Sequence, residues 1–142
     1  MDFQNEVAKP ETSLQLQRML GYNLPTLFGY NYENKLVYTN LDGLFDKIIP
    51  APTMREIIVS GLIPKLPQSY ISDQKVISTS TYVSMWFNAS SNTQESKLLH
   101  CISFEKGEIL DLSEVINDDN FGDAYCRLAI QLIRLRLIKT TK

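Results

Sequence analysis

The stretch 121–138, FGDAYCRLAIQLIRLRLI, decides the fold of this 142-residue chain. It contains no proline and only one early glycine, Gly122, so an uninterrupted helix is predicted over Phe121–Ile138. Asn117, Asp118, Asp119 and Asn120 precede it and supply capping side chains. Phe121, Ala124, Tyr125, Leu128, Leu132 and Leu135 form one stripe at helical spacing, and Cys126, Ile130, Ile133 and Leu137 form a second beside it. A narrow polar strip is left, principally Asp123, Arg127, Gln131 and Arg134. A helix this apolar is expected to lie across a sheet and to be covered on a further side, by another helix or by a second protomer. Arg127, Ile130, Gln131, Ile133, Arg134 and Leu137 are therefore the candidate interface residues.

Upstream, the period changes from helical to two. Tyr70-Ile71 reads as a weak strand and Val76–Phe87 as a strong one, in which Tyr82, Ser84 and Trp86 alternate with Val83, Met85 and Phe87. Both faces of that strand are apolar, which places it inside a sheet. The polar connector 89–93 leads to Lys97–Glu105, a turn at Lys106-Gly107 and a return strand Glu108–Leu110, an antiparallel meander. Asp111 to Ile116 is expected to form a single helical turn.

The N-terminal half is built of shorter pieces. Residues 1–11 are expected to be a flexible arm. Thr12-Ser13-Leu14-Gln15 has the spacing of a capping box and opens a short helix with Leu16, Met19 and Leu20 on its apolar side, closed by Gly21. TLFGYNY and KLVYTN read as a hairpin turning at Glu33-Asn34, with Phe28, Tyr30 and Tyr32 on the core face. After a loop through Asp42-Gly43, Pro50 and Pro52 break the chain. Thr53-x-x-Glu56 then starts a helix of about two turns carrying Met54, Ile57, Ile58 and Leu62, stopped by Gly61 and Pro64. The expected fold class is α+β, with residues 12–142 as one domain: an antiparallel sheet of about five strands packed against a long C-terminal helix with two short helices.

At 44% hydrophobic and 21% charged, the composition excludes a disordered chain, and a formal charge of -2 gives no global basic excess to recruit nucleic acid. The N-terminus lacks the apolar run of a secretion signal, and charged or polar residues interrupt every hydrophobic stretch. The expectation is a cytoplasmic protein with no membrane partner, in which Cys101 and Cys126 are buried reduced thiols. Charge is uneven along the chain. Residues 105–123 carry seven carboxylates and one lysine, while 124–142 carry Arg127, Arg134, Arg136, Lys139 and Lys142 and no acid. Acid before a helix and base at its end complement the helix dipole; the same pattern is also that of an acidic or basic docking patch.

Catalytic chemistry finds little to build on. His100 is the only histidine, and a strand would point its neighbour Cys101 to the opposite face, leaving Cys126 as the one conceivable thiol partner. The strand context predicts a half-buried or surface His100. No metal-ligand spacing occurs, and Asp111, Glu114, Asp118, Asp119 and Asp123 read better as helix-dipole partners than as a cation site. The glycines are scattered singly, so no phosphate loop can be assembled. No catalytic residue, cofactor, metal or small molecule is assigned. Asn88-Ala89-Ser90 matches a glycosylation acceptor, which a cytoplasmic protein would not use. Tyr22, Tyr30, Tyr32, Tyr38 and Tyr70 cluster in the N-terminal half, where short elements cannot bury every ring, and an exposed tyrosine patch favours binding.

The order of SLQLQRMLG, a variable hairpin, IPAPTMREII with a following KLP, strands beginning at Tyr82, and FGDAYCRLAIQLI resembles small uncharacterised proteins of bacteriophages and mobile elements of Bacteroidales-type bacteria. The resemblance implies a setting, the bacterial host cytoplasm or a virion, and carries no activity or site. The expected function is a non-enzymatic interaction protein that binds a host protein or self-assembles through the C-terminal helix. A virion or particle-assembly component, and a small-ligand-binding protein or enzyme, are the alternatives.

Overall fold

A computed structural model describes residues 6–22, 24–39, 48–60, 70–71 and 74–135. The chain is α+β, and its described residues form two antiparallel sheets rather than one of five strands. Its elements run α1 (Pro10–Leu20), β1 (Phe28–Tyr30), β2 (Leu36–Tyr38), β3 (Ile49–Ala51), α2 (Met54–Ser60), β4 (Tyr70–Ile71), β5 (Gln74–Asn88), β6 (Thr93–Phe104), β7 (Ile109–Val115) and α3 (Phe121–Arg134). The small sheet has the order β2-β1-β3 and the large one β4-β5-β6-β7, each strand antiparallel to its neighbours.

The large sheet is the platform for α3. Along β6, Ser96, Leu98, His100, Ile102 and Phe104 alternate inward, and they join Leu112 of β7 and Leu128, Ala129 and Leu132 of α3 in or around the main core. α1 and α2 both pack on α3, so the second apolar stripe is covered by helices of the same chain. Ile130 is buried there and Ile133 packs against it. The described part of α3 ends at Arg134, not Ile138. Arg134 and Leu135 are already exposed, so the helix has outrun the surface that its apolar stripes pack on. Leu137 lies outside the described residues.

Residues 111–116 are strand, not a helical turn. Leu110 and Leu112 face the core between exposed Ile109, Asp111 and Ser113, and Lys97–Ser103 pairs with Ile109–Val115 residue for residue. The IPA segment also pairs: β3 lies on the edge of the small sheet, where Pro50, opposite Gly29, needs no donor for a further strand. Phe28 and Tyr30 are core as expected, but Tyr32 is exposed, because the chain turns at Asn31, whose side-chain Oδ1 accepts from the amides of Glu33 and Lys35. The Asp42-Gly43 loop, Leu62 and the stop at Gly61 and Pro64 lie outside the described residues.

The chain before α1 is bound from Val7 onward, against the expectation of a loose arm over 1–11. Val7 and Ala8 are fully buried. Val7 bridges to Thr53, the Ala8 amide donates to the Pro52 carbonyl at 2.9 Å, and the Tyr30 hydroxyl donates to the Ala8 carbonyl at 2.7 Å. The Asn120 side chain donates to the Val7 carbonyl at 2.9 Å. α1 starts at Pro10 rather than at a Thr12 cap: the amide of its N-cap residue, Lys9, donates to Asp123 Oδ1 at 2.8 Å. Gly122 is required at this crossing, since a Cβ there would collide with the Glu6 carbonyl.

Candidate functional site

The candidate helix-interface residues are largely engaged within the chain. Arg127 donates through Nε to Asp123 Oδ2 at 3.0 Å, and through its terminal nitrogens to Glu114 and to the Val115 carbonyl. Gln131 Nε2 donates to the Ser113 carbonyl at 2.9 Å and to Glu114 Oε1 at 2.6 Å. Together they clamp α3 to β7, with the half-buried guanidinium set between two carboxylates. Of the set, Arg134 alone is open to solvent among the described residues, on a shallow groove of about 560 Å³ that it lines with Glu11, Leu14, Gln15, Arg18 and Met19.

His100 is buried, contrary to the half-buried or surface position expected, because its strand faces α3. Its Nδ1 lies 2.7 Å from Thr81 Oγ1 on β5, while Nε2 is buried with no hydrogen-bond partner among the described residues. Burial lowers its pKa and holds the ring neutral. Cys101 points to the other face, beside Asp111, whose hydrogen bond raises the thiol above its ordinary value. Cys126 is buried, and burial pushes its thiol further up. Neither thiol has the lowered pKa that activates a cysteine nucleophile. Asp111 and Glu114 lie on opposite faces of β7, and among the described residues no three His, Cys, Asp or Glu converge on a point that could hold a metal ion.

What stands open is the far half of the β5–β6 hairpin. β5 pairs with β6 from Val76↔Phe104 to Asn88↔Thr93, with a bulge between Val76 and Ser78 that shifts the inward positions from Val76 to Thr79, Thr81 and Val83. α3 covers the β6 and β7 side of the sheet, and beyond buried Val76 and Thr79 the far half of β5 is left open. Tyr82 is 54% exposed, Val83 38%, Met85 63%, Trp86 38% and Phe87 63%. Val83, Met85 and Phe87 share the α3 face, paired with Leu98, Ser96 and Gln94, whereas Tyr82 and Trp86 stand on the other face opposite Leu99 and Glu95. Lys97 Nζ lies 5.6 Å over the Trp86 ring, a cation–π contact on that outer face.

No protein-family model, curated protein or solved structure matches this chain. The site therefore rests on its own chemistry.

Two further properties define the hairpin. From Val76 to Asn88 the strand carries no charge, no proline and no glycine. β4 meets β5 only at Gln74 and Lys75, so over Ser80–Asn88 the second edge of β5 pairs with no strand among the described residues. Natural edges are blunted by charge, proline or bulges, and this one has none beyond the bulge at its start. The sequence held the signal in the apolar alternation of TYVSMWF on both faces. The same pattern describes the strand inside a sheet that was expected; instead Val83, Met85 and Phe87 stay exposed beside α3 on one face, and Tyr82 and Trp86 are exposed on the other.

Proposed function

We propose that the protein is a non-enzymatic interaction module whose contact surface is the Tyr82–Phe87 portion of β5. The carrying observation is the run of exposed apolar side chains there, Tyr82, Val83, Met85, Trp86 and Phe87, on an uncharged strand. At ~150–250 Å² for each aromatic ring, the exposed part of these five side chains comes to about 500 Å², divided between the two faces of the strand, so that each face carries apolar area without a partner among the described residues. The engaged state of Arg127, Ile130 and Gln131 moves the proposed contact away from the C-terminal helix. The setting proposed is the one the resemblance implies, a phage or mobile-element protein acting inside a bacterial cell.

A photo-crosslinking residue at position 85, introduced in cells that make the protein, is expected to give a discrete adduct. The same residue at exposed Glu33, in the turn between β1 and β2, serves as the control and is expected to give none. No adduct at 82, 85 or 87, or equal labelling at 33 and 85, would remove the hairpin as a contact surface.

A further inference from the structure

Resting on that reading, we propose that the occupant of the hairpin is a second copy of this chain, joined edge to edge through β5 about a two-fold axis. The β5-β6-β7 ladders of the two copies then become one continuous antiparallel sheet six strands across, with each β4 beside the start of its own β5.

Three observations lead to a like partner. The first is charge. Every residue from Val76 to Asn88 is neutral, so antiparallel self-pairing brings no like charges together, and a foreign partner would find no charge on this edge to select it. The second is geometry. Directly opposed residues of an antiparallel pair point to the same face, so a two-fold can pair residue i only with a residue of the same parity. An axis through Ser84 meets that condition. It sets Tyr82 opposite Trp86 and Val83 opposite Met85, each twice by symmetry, so aromatic meets aromatic on the outer face and aliphatic meets thioether on the α3 face. The third is length. The open edge Ser80–Asn88 runs for nine residues, longer than the about five or six of an ordinary strand, so a second copy meets a full ladder of backbone donors and acceptors there, with the flanks of Tyr82, Val83, Met85 and Trp86 packing across it. Such an isologous contact closes on itself, so it gives a dimer and not an open array.

The test uses the purified full chain. Sedimentation equilibrium is expected to show the mass of two chains, and Met85→Lys, which sets two ammonium groups into the shared edge, is expected to reduce it to one. Residue 85 is exposed in the protomer, so an unchanged far-UV spectrum and thermal melt should accompany that dissociation. In a Cys101→Ser background, Ser84→Cys treated with oxidised glutathione is expected to crosslink two chains several-fold faster than Ser80→Cys. A wild-type monomer, a dimer indifferent to Met85→Lys, open-ended assemblies, or preferential crosslinking at 80 would each overturn the proposal. A monomer in solution that still gives a heterologous adduct at position 85 in cells would remove the second copy and leave the interaction surface standing; no adduct as well would remove both.

Discussion

His100 is the residue whose surroundings least suit it. Its Nε2, with no hydrogen-bond partner among the described residues, sits in the core, and burial holds its pKa below the ordinary 6.5. The unfolded chain takes up a proton near that pH which the folded state refuses, so stability from the neutral ring is fully present above about pH 6.5 and falls as the pH drops below it. Thermal melts are expected to weaken between about pH 7 and pH 5.5, and His100→Asn, which keeps a polar group near Thr81, to flatten that slope. An identical pH dependence in wild type and variant would show that other groups produce it. Tyr30 titrates in the opposite sense. Burial, with Asp123 nearby, pushes its hydroxyl up to about 12, so its contribution holds below pH 10 and is lost as the pH rises from 10 toward 12. Tyr30→Phe removes the bond to the Ala8 carbonyl, which keeps the weaker Ser13 hydroxyl at 3.3 Å. Denaturant unfolding is expected to register a loss of about 1 kcal/mol.

Among the elements, the two helix starts show what local sequence can and cannot reveal. At α2 the capping box forms as its spacing predicts: the Thr53 amide donates to Glu56 Oε1 at 2.9 Å and the Glu56 amide to Thr53 Oγ1 at 3.2 Å. At α1 the equally plausible Thr12 box goes unused, because the Asp123 carboxylate, 114 residues away, receives the Lys9 amide and starts the helix a turn earlier. No local pattern contains that partner. Leu110, Leu112 and Glu114 likewise showed a period of two, but the acidic Asp111 and Glu114 resembled a helix start until β6 supplied the pairing. The hairpin was legible as a strand and its exposure was not, since exposure depends on what packs on each face of the sheet: α3 stops short of Val83, Met85 and Phe87 on one, and Tyr82 and Trp86 are exposed on the other. Asn120 both caps α3, accepting from the Asp123 amide at 2.9 Å, and holds the Val7 carbonyl. Asn120→Ala is therefore expected to cost about 2 kcal/mol, at the upper end for a lost cap. It should also speed hydrogen exchange at the Ala8 and Lys9 amides; protection unchanged there would separate the cap from the clamp.

For the molecule as a whole, α3 is the central element, between the large sheet on one side and α1 and α2 on the other. Ile130→Asp puts an unpaired carboxylate into that core and is expected to cost more than about 4 kcal/mol. Circular dichroism should then show loss of the whole fold, and a folded variant with altered association would return Ile130 to a surface. The joining of residues 7–9 to Asn120 and Asp123 has a consequence for synthesis. At roughly 5–20 residues per second, the ribosome adds the polar groups that dock the start of this chain on the order of ten seconds after the start itself has emerged. During that interval the β5–β6 hairpin is complete while α1 still lacks the carboxylate at its first turn, and the nascent chain carries its stickiest strand before its central helix exists. Attaching folding factors to the chain at the ribosome, rather than after release, is the circumstance in which this protein gains most from them.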